Sequence, residues 1–132
     1  MDLWESYKTS VFLCHQPLGN QISFAIISAQ NPEGRLLGHA SNLSLDRQLE
    51  HLLQQTNLPC RRLIGASPDL SFQESSWAVL CDKSKALELA RRFAQNAIYW
   101  VEAGQLYLVP ALLRNADVHL GAYQPRQIVL QD

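Results

Sequence analysis

Cysteine is scarce: Cys14, Cys60 and Cys81 are the only three in 132 residues, and no two form a C-x-x-C pair. Zinc ribbons and dithiol redox motifs that rest on that spacing are thereby excluded. Charge is also thin, at 17% of residues, and eleven Lys and Arg against twelve Asp and Glu leave a net charge of -1. Such a balance builds no basic field for general nucleic-acid binding. No apolar run approaches the roughly 20 residues that cross a bilayer. The opening Met1-Asp2-Leu3-Trp4-Glu5 lacks the basic-then-apolar layout of a signal peptide. Together these absences predict a cytoplasmic protein, off the membrane, with reduced and semi-buried thiols. No G-x-G-x-x-G, P-loop, H-E-x-x-H, EF-hand or G-x-S-x-G pattern occurs. The aromatic signature of RNA-recognition modules is missing as well.

What is present is an ordinary core-forming composition, 47% hydrophobic, of a length that suits one domain over residues 1–132. Leu3, Trp4 and Tyr7 share a helical face, which predicts a short helix closing over something apolar. Residues 10–15 and 21–29 read as two strands, and Pro17 and Gly19 between them favour a reversal, hence a hairpin. Phe24-Ala25-Ile26-Ile27 is continuously apolar, as expected of a strand covered on both faces. Asn31-Pro32-Glu33-Gly34 has the residue order of a type I turn. Leu45, Leu49, Leu52 and Leu53 recur at helical spacing, with Ser44 as a candidate N-cap and Asn57 and Pro59 as the stop. Residues 60–65 and 76–81 read as strands. A helix with the stripe Ala86, Ala90, Phe93 and Ala97 follows, capped by Asp82 or Ser84 and closed near Asn96. Residues 98–101 and 106–109 form a second hairpin about Gly104. Residues 110–132 read as a mostly irregular tail.

This order predicts an α+β fold with a ferredoxin-like split βαβ core. Its sheet is antiparallel, its two helices lie on one face, and an N-terminal hairpin strand is added. Following strand directions through that arrangement sorts Asn31, Asn42, Ser67, Asp69, Glu74, Gln95 and Asn96 to one edge of the sheet. A helix N-terminus at the same edge suits a negatively charged or amide-rich ligand. Glu74 and Asp69 are the candidate acid and base, while Asn31, Asn42, Gln95 and Asn96 are candidate ligand-binding residues. Local backbone duties compete with these roles. Asn31 can start a turn, Asn42 can cap, Asn96 can close a helix, and Asp69 follows a loop proline. His39 is the histidine that topology brings nearest.

Several of these residues form a pattern. Ala29-Gln30-Asn31-Pro32, Asn42 ahead of a leucine helix, Gly65, Glu74-Ser75-Ser76, and Ala90-Arg91-Arg92-Phe93-Ala94-Gln95-Asn96-Ala97-Ile98 resemble the bacterial domain of unknown function 3293 family. The resemblance runs from about residue 7 to residue 109, and the stretch from Arg91 to Ile98 is its most specific part. The chain departs from the family pattern at Gln30, where an aromatic precedes Asn-Pro. It departs again at Ser75 and Ala94, where Pro and Gly are usual. The resemblance implies a small bacterial protein and marks Asn31, Asn42, Glu74, Gln95 and Asn96 as motif positions. It supplies no mechanism.

The resulting expectation is a polar pocket for a small or nucleotide-like ligand, with hydrolysis by Glu74 or Asp69 as its catalytic form. No metal-ligand set and no particular cofactor is indicated, and oligomerisation is left open. The alternative is a non-catalytic interaction or regulatory module that works through its sheet edge.

Overall fold

The computed structural model describes residues 2–131. It contains the strands β1 (Val11–Cys14), β2 (Phe24–Ile27), β3 (Cys60–Ala66) and β4 (Gln73–Val79). These are followed by β5 (Ala97–Glu102), β6 (Gln105–Pro110), β7 (Val118–Ala122) and β8 (Gln127–Val129). The helices are α1 (Leu3–Tyr7), α2 (His39–Gln55) and α3 (Lys83–Arg92). All eight strands join one sheet in the order β7-β6-β5-β2-β4-β3-β1-β8. Every pairing is antiparallel except that of β1 with β8.

Side chains alternate across the central strands and so build two cores. Ala25, Ile27, Trp77, Val79, Ile98 and Trp100 point to the face covered by α2 and α3. Leu49 and Leu53 of α2 are fully buried there, each contributing roughly 1.5–3 kcal/mol. Asp82 caps α3 by accepting the Lys85 N–H at 2.7 Å. That helix closes on Ala94, which adopts a left-handed φ of 53°, and Asn96 lies beyond it. Helix α2 begins at His39, ahead of Ser44, with Gly38 as its N-cap and no side-chain capping bond. Asn42 is therefore free to turn its amide toward the loop after β2.

The opposite face carries Phe12, Phe24, Ile26, Ala78, Leu106 and Tyr123. Phe12 of β1 and Tyr99 of β5 are four strand spacings apart, about 19 Å in a flat sheet. Their ring centroids are 4.9 Å apart, so the sheet is curled around this second core like a half-barrel.

The ferredoxin-like expectation is thereby corrected. A split βαβ sandwich has an antiparallel sheet with two helices on one face and the other face open. Here the sheet is mixed and eight-stranded, it rolls on itself, and a third helix lies over its concave side. The expected first hairpin does not form either. β1 pairs with β3 and β8, on the far side of the sheet from β2. Leu18 in the intervening loop is buried in the second core, and its N–H donates to Gln127 Oε1 at 2.9 Å. Residues 110–132 supply β7 and β8, so they complete the sheet where an irregular tail was expected.

Candidate functional site

A cavity of about 420 Å³ lies on the concave face, between α1 and the ends of the central strands. Alternation explains its walls. On β4, Glu74 and Ser76 point inward; β2 contributes Ile26, Ser28 follows directly after that strand, β5 contributes Tyr99, and β6 contributes Leu108. Gly65 of β3 leaves space: a Cβ there would meet only Ser76 Oγ at 3.6 Å and the Glu74 carbonyl at 4.0 Å. Phe12 closes the inner end, and Tyr7 and Leu3 of α1 form the roof. The mouth is apolar, with Leu3 45% exposed, Leu36 77% and Phe72 43%.

The polar wall is a connected network. Asn31 has a left-handed φ of 49°, a region that Asn tolerates better than most residues. Its backbone N–H donates to Asn42 Oδ1 at 2.9 Å. Its own Oδ1 accepts from the Leu37 N–H at 3.0 Å and from Asn42 Nδ2 at 2.9 Å. Backbone N–H groups are unambiguous donors, so both amide orientations are fixed. Asn31 Nδ2 must then face β4, where it donates to Glu74 Oε2 at 2.9 Å.

Gln95 Nε2 donates to the carbonyls of Gln30, at 3.1 Å, and Phe93, at 3.2 Å. It thus ties the end of α3 to the Asn31 loop. The Glu33 N–H reinforces this by donating to the Ala94 carbonyl at 2.7 Å. Asn96 Nδ2 donates to the Tyr7 hydroxyl at 3.1 Å. Asn31, Asn42 and Glu74 thus form one hydrogen-bonded chain. Gln95 and Asn96 line the same cavity by separate attachments.

Asp69 is not among them. It sits on the exposed β3–β4 loop, where its Oδ1 accepts from the Ser67 and Ser71 hydroxyls, both at 2.8 Å, and from the Ser71 N–H at 3.1 Å. Those bonds lower its pKa to about 2. Asp69 is an ionised loop staple, so the expected pair of carboxylates does not form. His39 is exposed at the start of α2. Gln30 turns away from the cavity. Its Oε1 accepts the Ser75 N–H at 2.9 Å and its Nε2 donates to the Asn42 carbonyl at 3.2 Å.

Tyr7, Ser28 and Tyr99, none of them expected as a site residue, also line the cavity. The cues were faint. Ser28 continues the Phe24, Ile26 alternation as its one polar member, and Tyr7 shares the Leu3 face of α1. Tyr99 donates to the Tyr7 carbonyl at 2.6 Å and lies 2.7 Å from Ser10 Oγ, which fixes the end of α1. Arg126 clamps the turn that follows by donating to the carbonyls of Lys8, at 2.6 Å, and Ser10, at 3.1 Å.

Burial raises the Glu74 pKa above its ordinary 4.5, against the pull of hydrogen bonds with Asn31 and Ser28. Burial also raises the Tyr7 pKa; the Asn96 bond opposes that shift and the Glu74 charge adds to it. Tyr7 accepts from Asn96 and keeps its own hydroxyl proton for the cavity. The three thiols are free, and burial raises each of them, Cys81 to about 11, so they are poor nucleophiles. Among the described residues no three His, Cys, Asp or Glu side chains gather to hold a metal. No helix among them is long and apolar enough to cross a membrane.

The cavity and its polar wall can now be set beside known proteins. No curated protein and no solved structure matches the chain. A family model described as "Protein of unknown function (DUF3293)" matches residues 27–98. That span holds Asn31, Asn42, Glu74, Gln95 and Asn96, and leaves out Tyr7, Phe12 and Leu108. Since it covers more than half of the 132 residues, the chain belongs to the DUF3293 family.

Proposed function

We propose that this protein binds a small organic ligand in the cavity beneath α1, with Glu74, Asn31, Gln95 and Asn96 as its polar contacts and Asn42 as the residue that orients Asn31. One observation carries the reading: a carboxylate held by neutral partners lines an otherwise largely apolar cavity of about 420 Å³. Small-molecule sites typically measure about 300–1,000 Å³ and combine apolar walls with a few fixed polar groups. Among the described residues the lining includes no Lys, Arg or His, so phosphates would find no counter-ion there. This narrows the nucleotide-like expectation to ligands without a phosphate. Catalysis in the cavity would fall to Glu74 alone, because Asp69 is tied into its loop.

The test is thermal-shift screening of uncharged and cationic metabolites against the wild type and Gly65→Phe. The added ring projects from β3 into the cavity, where the backbone accepts a Cβ without strain. Ligands that raise the melting temperature of the wild type but not of Gly65→Phe support the reading. Hits that survive the plug place binding elsewhere. The second reading, an interaction module working through a sheet edge, draws on exposed Ile128 and Val129 of edge strand β8. An empty screen together with concentration-dependent dimerisation that Ile128→Lys abolishes would favour it.

A further inference from the structure

We propose that the ligand class is an organic amine carried on an apolar body, its ammonium held against Glu74 and its apolar part running out past Leu36 and Phe72. This rests on the cavity being a binding site, and it follows from how donors and acceptors are distributed around it. Gln95 has committed its Nε2 to the Gln30 and Phe93 carbonyls, leaving Oε1 as an acceptor. Ser76 donates to the Glu74 carbonyl at 3.2 Å, which leaves hydroxyl lone pairs. Glu74 itself is an acceptor when ionised, and Asn31 Nδ2 occupies only Oε2. Apart from the Tyr7 hydroxyl proton, these groups therefore offer acceptors, which suits a ligand rich in donors.

Charge points the same way. An ionised carboxylate in apolar surroundings is costly without a cation beside it. Among the described residues none of the side chains lining the cavity is cationic, whereas an ammonium supplies one charge and three donors. Phe12, Ile26 and Leu108 would contact the body of such a ligand, and the exposed rim gives its far end an apolar surface to cover.

Three probes of equal chain length decide the matter: hexylamine, hexan-1-ol and hexanoate, titrated into the wild type by calorimetry at neutral pH. Hexylamine should bind at least about tenfold more tightly than hexan-1-ol, the ratio expected of a charge-assisted hydrogen bond, and hexanoate should show no binding. Affinity for hexylamine should rise with pH above 4.5 as Glu74 ionises. The other titratable groups facing it, Tyr7 on α1 and Tyr99 on β5, have raised pKa values and keep their protons throughout. Arg126 stands behind Tyr99, bonded to the Lys8 and Ser10 carbonyls. Glu74→Gln should erase the preference for amine over alcohol by lowering hexylamine affinity to that of hexan-1-ol.

Equal binding of amine and alcohol, or a preference for hexanoate, would overturn the amine assignment and leave the cavity standing as a binding site. Binding of none of the three would overturn the amine assignment too, and the screen against Gly65→Phe would then decide separately on the cavity. The wild-type series is decisive even where Glu74→Gln fails to fold.

Discussion

Two carboxylates lie beneath opposite faces of one curled sheet, and the protein meets them differently. Asp46, on the helix-covered face, is 2% exposed. It accepts from Arg62 Nη1 at 2.8 Å and from Trp77 Nε1 at 3.1 Å, while the same guanidinium stacks on the Trp77 ring at 4.2 Å. Among the described residues Glu74, on the concave face, has only the neutral Asn31 and Ser28. One acid arrives with its counter-ion in the same chain, inside a packed layer. The other borders open space and, among the described residues, lies against no cationic side chain of the cavity lining. A charge completed from within belongs to the fold, whereas a charge met only by amide and hydroxyl is one that the proposed ligand would complete.

The most forceful way to break this contrast is to remove the completed charge. Asp46→Ala leaves the Trp77 indole N–H without its acceptor and the Arg62 guanidinium without its close partner. Stability measured by urea denaturation should fall by about 2–3 kcal/mol. That is less than the roughly 3–5 kcal/mol of a fully enclosed pair, because Arg62 reaches water. Glu74→Gln, which keeps the shape and the Asn31 bond, should change stability by less than about 1 kcal/mol. Similar losses for the two variants would erase the distinction.

The helix-covered half was the more legible of the two in the sequence, for a physical reason. Its helices repeat apolar residues at local spacings, and Leu49, Leu53, Ala86 and Ala90 announce their own burial. The concave half depends on partners distant in sequence. Nothing in Gln127-Ile128-Val129 says that it will lie parallel to β1, and nothing in Phe12 or Tyr99 says that a roll of the sheet will bring their rings together. The pairing of β1 was misread because Pro17 and Gly19 signal a reversal, whereas the loop uses them to tuck Leu18 beneath the second core. The polar wall was partly legible, since strand directions already grouped Asn31, Glu74 and Gln95. Asp69 was grouped with them because directions sort loops and not side chains. Its two serines turn it into a staple, which only local geometry reveals.

A variant of intermediate effect sharpens the comparison where the two halves meet. Asn31 and Ala94 both adopt left-handed φ, at 49° and 53°, within the loop junction that joins α3 to the polar wall. At Ala94 the side chain gains nothing from that conformation. Ala94→Gly should stabilise the protein by about 0.5–1 kcal/mol, relief of the Cβ clash outweighing the added chain entropy. Asn31→Gly makes the same backbone change but deletes the amide that holds Glu74, Leu37 and Asn42. It should destabilise by about 1 kcal/mol or more. Thermal melts of the two variants with the same sign of change would show that backbone strain, and not the amide network, sets the energetics of this junction.

The smallest effect is one of slope, and it separates two carboxylates that the sequence placed together. Asp69, held at about 2 by its serines, contributes stability that is present above its ordinary 3.8 and is lost as pH falls toward 2. Glu74 works in reverse. Its folded pKa lies above 4.5, so the native state holds the proton more tightly than the unfolded chain does. Its contribution is complete below 4.5 and drains away as pH rises through the folded value. Between pH 4.5 and neutrality the wild type should therefore lose stability relative to Glu74→Gln, a difference readable from urea denaturation at a series of pH values. Asp69→Asn should leave that window untouched and flatten the acid limb instead. A pH-independent difference between wild type and Glu74→Gln would mean that the Glu74 carboxylate is as well satisfied in the folded protein as in water. It would then leave no unmet charge in the cavity, and the contrast with Asp46 would fail.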